Sequence, residues 1–425
     1  MRKIVAVLLL VVMTAVCSVS GSALAKKKIS FWHIQVSKVT GSVLDAAVAR
    51  FKRDHPNVEV EVVANENDPY KTKLKIAMGS GNPPDVFHSW GGGWLEAFVN
   101  EGNVLDITKD LNKNKWKDIY VPAYLDMAKF NGKYYGVPAN MSCTLVWYNK
   151  ELFKKCNVEI PKTYNELLKV IQVFKRNKII PIALGNKSKW PGCLIFVYLA
   201  NGIDGPDAFM NAYLRKPGAS FEDPAFIEAG EKLQELVRAG AFPDGFNGIN
   251  YDTGESRILL YSGKAAMEVA TSAYLSFTKS EAPAFFKKNF DMFLFPAIEG
   301  GKGDPGSLVG GTHIYSVASK SKNKKEAVEL LKYISDQAYG QDWVDKAGNL
   351  APVKGLVIKE PLMKKMADFM ARAKHIQAFY DQFLPPSMGE LHKDTTQALF
   401  GLSMTPREAA AKMEAKAKEE LVSKK

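Results

Sequence analysis

The sequence predicts an α/β protein of two lobes, each a doubly wound sheet flanked by helices, with several strands joining the lobes as a hinge. Three observations lead there. At 425 residues the chain exceeds what one hydrophobic core usually serves, so two domains are expected. A strand, helix, strand succession within residues 28–62 implies a right-handed crossover and a parallel sheet. Strand-like segments recur late in the chain with no long Ser, Gly or Pro linker and no solenoid-period repeat between them, so the chain passes between the lobes more than once.

The N-terminus reads as an export leader. Met1, Arg2 and Lys3 give a positive end, and Ile4 to Val16 form an apolar or small-residue run, shorter than the ~20 residues that span a bilayer. Ser22-Ala23-Leu24-Ala25 supplies small residues for cleavage, so residues 1–25 are expected to be removed. Lipid attachment at Cys17 is the alternative, opposed by the branched Val16 where Gly, Ala or Ser is usual. No later segment has the length of a membrane span, so the mature protein is expected to be soluble, and the leader places it outside the cytoplasm.

The first lobe opens with Lys28-Ile29-Ser30-Phe31-Trp32 as a buried strand. Residues 42–54 follow as a helix with Val43, Leu44, Ala47, Val48 and Phe51 on one face, stopped by His55-Pro56-Asn57. Val58-Glu59-Val60-Glu61-Val62 alternates as a half-covered strand does. Residues 70–78 are helical, Gly79-Ser80-Gly81-Asn82-Pro83-Pro84 breaks the chain, and residues 85–88 form a further strand. Ligands of such sheets bind at the carboxyl ends of the strands, so the loops after Trp32, Asn65 and His88 share one rim.

The second lobe begins near Pro138, with an apolar run over 144–148 and helices over 150–155, 163–177, 224–239 and 255–262. Residues 290–296 form a return strand, followed by Gly300-Gly301-Lys302-Gly303. Residues 314–318 and the helix 324–335 complete the first lobe, 348–353 make a third crossing, and the C-terminal helices, including 406–421, pack on the second. The expected division is 26–137 with 296–347 for the first lobe and 138–295 with 348–425 for the second.

The formal charge of +12 becomes +10 once Arg2 and Lys3 leave. Lysines concentrated over 320–325 and 412–424 read as a solvated surface rather than a nucleic-acid face. Cys143, Cys156 and Cys193 remain after cleavage; their odd number and spacing fit neither a disulfide framework nor a metal motif, so they read as small buried residues.

Several segments carry a likeness: the leader with Ile29-Ser30-Phe31-Trp32, then Gly79-Ser80-Gly81-Asn82-Pro83-Pro84-Asp85-Val86. Tyr135-Gly136-Val137-Pro138 follows, with Trp147-Tyr148-Asn149-Lys150-Glu151-Leu152-Phe153 and Pro161-Lys162-Thr163-Tyr164-Asn165-Glu166-Leu167. Later come Gly263-Lys264-Ala265-Ala266-Met267 before Tyr274, and Gly310-Gly311 before a strand and helix. In this order, over essentially the whole mature chain, they resemble the family 1 extracellular solute-binding proteins, which include maltose- and other oligosaccharide-binding receptors. The resemblance implies a monomeric, cofactor-free receptor with a periplasmic-binding-protein-like fold, whose interlobe cleft closes on a sugar or oligosaccharide. It also implies membrane permease subunits of an ABC importer as partners. The sequence departs from the maltose-binding pattern at Ser89-Trp90-Gly91-Gly92-Gly93-Trp94, where those relatives use charged side chains, so a maltodextrin is not implied.

A sugar ring needs flat aromatic platforms and fixed polar groups. Trp32, Trp90, Trp94, Trp190, Tyr274 and Tyr380 stand at or near loops or element ends, and Tyr274 matches a stacking position of the family. Trp94 has a second reading as the first core residue of its helix, and Trp32 as a core residue ending its strand; Trp147 and Tyr148 read as core. Gly91 and Gly92 would let a ligand approach the backbone. The polar candidates are His33, Gln35, Asn67, Asn140, Thr271, Thr312, His313 and Asp381, the last with an equal reading as a surface acid. The six histidines show no metal-ligand spacing.

Catalytic motifs are missing from the sequence. The Gly301 to Gly306 pattern contains a Pro and precedes a strand, so it is a turn rather than a dinucleotide loop. The paired carboxylates of a glycosidase have no local spacing to find. The rival class is a receptor for a polyamine or metal ion, which would need several cleft carboxylates where the predicted rims offer mainly aromatics, glycines and amides.

Overall fold

A computed structural model of the chain describes residues 26–421. The leader and its Cys17 therefore lie outside the described residues. The strands, in chain order, are β1 Lys27–His33, β2 Val58–Ala64, β3 Val86–Trp90, the hairpin pair β4 Lys129–Phe130 and β5 Lys133–Tyr134, β6 Val137–Pro138, β7 Ser142–Asn149, β8 Ile180–Ala183, β9 Ala265–Thr271, β10 Phe290–Phe293, β11 Leu308–Gly311, β12 His313–Val317 and β13 Ile376–Ala378.

Two large sheets result. The first has the order β2-β1-β3-β12-β6, and the second β13-β11-β7-β9-β8 with β10 also on β7. In the first sheet β1 runs parallel to both β2 and β3, as the βαβ pattern requires, and β12 returns antiparallel beside β3. The helix between β1 and β2 covers Lys38–Asp54, beginning earlier than expected because the Ser37 side chain caps it by accepting from the Thr40 amide. Its apolar face, Val43, Leu44, Ala47, Val48 and Phe51, is buried. That face packs with Ile29, Phe31, Val317 and the Leu330-Leu331 pair into the first lobe's core.

In the second sheet β7 is buried along its whole length. It is covered on one side by the amphipathic helices Tyr164–Arg176 and Pro224–Arg238 and the apolar helix Trp190–Asp204. A methionine-rich helix, Pro361–Arg372, closes the other side through Met363, Met366 and Met370.

Three segments join the sheets among the described residues: 139–141 between β6 and β7, Thr312 between β11 and β12, and the stretch around Gly348 to Val353, where Leu350 bridges Met141 and Val353 bridges Tyr120. The return to the first sheet falls at Thr312, not at the expected residue 296. Leu308, Val309 and Gly310 pair with β13 while Gly310 and Gly311 pair with β7, and Phe295 and Ile298 stay in the second lobe's core. The glycine turn is held there as well, since the Lys302 amide donates to the Ile203 carbonyl at 2.9 Å.

Asn140 ties the crossings together. Its Oδ1 accepts from the His313 amide at 2.8 Å, and its carbonyl accepts from the Thr312 hydroxyl at 2.6 Å.

Candidate functional site

The carboxyl ends of β1 and β3 and the loop after β2 form the first lobe's rim. His33 ends β1 with 2% of its surface exposed. Its Nδ1 accepts the Gln35 amide at 3.0 Å, so the ring hydrogen sits on Nε2. That Nε2 is buried and has no hydrogen-bond partner among the described residues. Burial lowers its pKa to about 4, so the ring is a neutral donor. Beside it Trp32 is partly exposed, with the Lys73 ammonium 4.3 Å from its ring centroid. Asn65, next along the rim, has an unpartnered Nδ2, and the Asn67 amide donates to Asp68 at 3.0 Å. The Tyr70 hydroxyl fixes this rim from beneath by donating to the His88 carbonyl at 2.6 Å.

The facing rim belongs to the second lobe. Trp190 opens its helix after Lys189, which turns the chain through a φ of 66°. The indole is partly exposed and packs edge-on against Tyr251 at 4.8 Å, while its Nε1 has no partner among the described residues. The Ser188 hydroxyl donates to Asp252 at 2.8 Å. Burial raises the Asp252 pKa; the Ser188 bond opposes this, and the carboxylates of Asp68 and Glu66 across the gap add to it. The two rims thus face each other closely enough to share a field.

Buried ion pairs span the gap beside them. Lys71, on the first-lobe helix Asn67–Gly79, meets Asp381 of the second lobe at 3.1 Å, with side chains 2% and 6% exposed. Lys393, on the second-lobe helix Pro386–Phe400 and 2% exposed, meets Asp68 of the first at 3.1 Å and Glu390 at 3.0 Å. Burial works against the Lys393 charge, but Asp68, Glu390 and Asp381 outweigh it and raise its pKa. The Lys71 ammonium also lies 4.8 Å from the Trp90 ring centroid. Charges withdrawn from water persist only when paired in this way.

The family model of the bacterial extracellular solute-binding proteins matches residues 36–341. The chain belongs to this family. The solute-binding protein is 26% identical to the multiple sugar-binding protein of Streptococcus mutans, over 81% of this chain and 80% of that relative. Among solved structures it resembles one from work on xylan utilization by the thermophilic bacterium Caldanaerobius polysaccharolyticus, with 33% identity and a TM-score of 0.86 over 92% of this chain and 99% of that one. A chitin oligosaccharide binding protein superposes with a TM-score of 0.87 at 25% identity, over 93% of this chain and 99% of that chain. Among the described residues no helix is long and apolar enough to cross a membrane.

Several expected site residues of this solute-binding protein lie elsewhere. Trp90 and Trp94 are sealed in the first lobe, 0% and 1% exposed, edge-to-face at 5.1 Å; Trp94 is a core residue of the helix it opens. Tyr274 is fully buried and stacked on Trp147 at 5.8 Å, and its hydroxyl donates to Glu268 at 2.6 Å. Burial holds that Glu268 carboxyl up at about 7. Tyr380 stacks on Phe209 at 3.9 Å inside the second core. The strand end of Trp90 and the helices of Trp94, Tyr274 and Tyr380 turn these rings inward, where full burial returns more free energy than a rim position.

Gly91 and Gly92 do permit a close approach, but by protein. A Cβ on Gly92, whose φ is 82°, would lie 2.5 Å from the Phe383 ring of the second lobe, and one on Gly91 2.8 Å from the Met127 side chain. Asn140, Thr312 and His313 are hinge residues, with their polar groups engaged as described above. Thr271 ends β9 against the Tyr251 hydroxyl.

Of the expected set, Trp32, His33 and Asn67 lie on the first lobe's rim, and Trp190 and Asp381 on the second lobe's side. To these the structure adds Asn65, Asp68, Lys71, Tyr251, Asp252 and Lys393. The turn signal Tyr251-Asp252-Thr253-Gly254 just before a helix marked a loop that deserved inclusion. The lysines left no such mark, since a single lysine on an amphipathic helix has the pattern of a solvated face.

Proposed function

We propose that this protein captures a sugar or short oligosaccharide between its lobes, without chemical change, and delivers it to the membrane permease subunits of an ABC importer. One observation carries the reading: each rim presents a partly exposed tryptophan next to buried donors with no hydrogen-bond partner among the described residues. Trp32 stands beside the His33 Nε2–H and the Asn65 amide, and Trp190 supplies its own Nε1–H. A flat apolar face beside unmet donors suits the C–H face and hydroxyl belt of a pyranose. The names borne by the Streptococcus mutans relative and the chitin oligosaccharide binding protein agree with that chemistry.

Two of the acids beside the gap are unavailable to a polyamine or metal ion. Asp68 and Asp381 are each taken by a buried lysine of the opposite lobe, so they are not free to neutralise a cationic ligand. Both rims come from one chain, which supports a monomer as the working unit. Capture would proceed by binding to one lobe, followed by rotation about 139–141, Thr312 and 348–353, favoured by contacts that exist only when both rims touch the ligand.

The test is a thermal-shift and calorimetric screen with xylo-, cello-, malto- and galacto-oligosaccharides alongside polyamines. A true ligand stabilises the fold by mass action. Stabilisation by an oligosaccharide supports the reading, and stabilisation by polyamines alone overturns it.

A further inference from the structure

The lysines over 320–325 do not stand alone in the fold. β1 runs from Lys27 to His33, and β12 is antiparallel to β3, with His313 opposite Trp90 and Val317 opposite Val86. Val86 in turn pairs with Phe31, so the chain leaving β12 runs back along β1 towards Lys27, which is one β1 length or ~20 Å from the rim at His33. Asn323 donates its side-chain amide to the Lys28 carbonyl at 2.9 Å, which fastens the two segments together. Lys26, Lys27 and Lys28 thus share one pole of the first lobe with Lys320, Lys322, Lys324 and Lys325, all exposed. Lys320 lies over the turn at Gly81.

Local carboxylates leave this pole positive. Lys27 pairs with Glu326 at 2.6 Å and Lys28 with Glu61 at 3.0 Å. Asp85 accepts from the Ser30 amide and the Ser321 hydroxyl. Among the described residues no carboxylate lies within ion-pair reach of Lys26, Lys320, Lys322, Lys324 or Lys325. Lys324 and Lys325 moreover open the helix Lys324–Tyr333, where the helix dipole disfavours cations and stability alone would place acids.

We infer that the lysine pole of the first lobe is a docking surface for an anionic lipid membrane, holding the receptor on the bilayer that houses its importer. The partner fits because the attraction needs only dense, laterally mobile negative headgroups and no shaped pocket, and the pole is far from the cleft. Binding is electrostatic, hence weakened by salt. Each lysine near such a surface contributes a factor of roughly five in affinity.

The experiment is co-sedimentation of the mature chain with vesicles of phosphatidylglycerol and phosphatidylcholine, against pure phosphatidylcholine, at low and high salt. The test variant carries Lys320→Gln, Lys322→Gln, Lys324→Gln and Lys325→Gln. The control removes the same charge from the second lobe, with Lys154→Gln, Lys155→Gln, Lys287→Gln and Lys288→Gln. The expected result is salt-sensitive binding to the anionic vesicles only, weakened at least about tenfold in the test variant and little in the control. Equal loss in both variants, no loss in the test variant, equal binding to neutral vesicles, or binding to soluble polyphosphate but not to vesicles would each overturn it. Thermal stability of both variants, measured in parallel, separates misfolding from lost binding.

Discussion

Lys71 of the first lobe and Asp381 of the second lie 3.1 Å apart with both side chains almost fully withdrawn from water. Removing one partner leaves the other charge buried and unpaired, at a cost of about 3–5 kcal/mol. That cost falls on the closed arrangement alone, because opening the lobes returns Lys71 to solvent. Asp381→Asn is therefore expected to raise the radius of gyration in solution scattering while leaving the unfolding midpoint of each lobe nearly unchanged. The apolar double replacement Lys71→Met with Asp381→Leu should restore the compact form. An unaltered scattering curve for Asp381→Asn contradicts this.

Gly92 leads to a second expectation. Its positive φ, and the Phe383 ring only 2.5 Å from where a methyl group would project, leave no room for a side chain. Gly92→Ala should hold the lobes apart and weaken ligand affinity, with the far-ultraviolet circular dichroism preserved. Phe383→Ala in the same chain should recover part of the affinity, as the ring is what the methyl meets.

The tryptophan and tyrosine candidates now separate. Trp190→Ala should lower oligosaccharide affinity by about tenfold in calorimetry, the scale of a lost stacking contact, with little change in stability. Tyr274→Phe should do the reverse. It removes the Tyr274 hydroxyl that donates to the buried Glu268 and lowers stability by about 1–3 kcal/mol in urea unfolding, with affinity unchanged.

Stability should rise with pH from about 4 to 6.5. His33, His313 and His392 are held near 4 by burial, so over that window the unfolded chain binds more protons and folding gains as they leave it. Glu268 acts oppositely. Its folded pKa of about 7 lies above the unfolded value, so its contribution is complete below about 4.5 and is lost as the pH climbs to 7. Glu268→Gln should thus steepen the rise between pH 4.5 and 6.5 by up to ~1.4 kcal/mol per pH unit. Denaturant unfolding at several pH values checks the slope.

Much of the architecture was legible because local rules and tertiary structure agreed. The alternation of Val58 to Val62 and the apolar stripe of Val43 to Phe51 each bury as their period requires. The second crossing was not legible, since Leu308 to Gly311 belong to the second sheet only through partners at Ser142, Cys143 and residues 376–378, far away in sequence. The site was half legible for a related reason. An aromatic at an element end looks alike whether its ring faces a cleft, as Trp190 does, or a core, as Tyr380 does. The buried lysines were hidden altogether, because Asp381 and Asp68, which meet Lys71 and Lys393 across the gap, come from the other lobe.

The side-by-side connections have a mechanical consequence. Asn140 clips the segment before β7 to the one before β12, and Leu350 lies against Met141, so the three tethers behave as one pivot. Sliding and twisting of one half past the other would strain all three at once, whereas a single swing strains none. Each closing stroke then retraces the same arc, and under the proposed function Trp32 and Trp190 would return to the same separation each time, so that the thickness of a bound molecule would be selected by geometry before any hydrogen bond is counted.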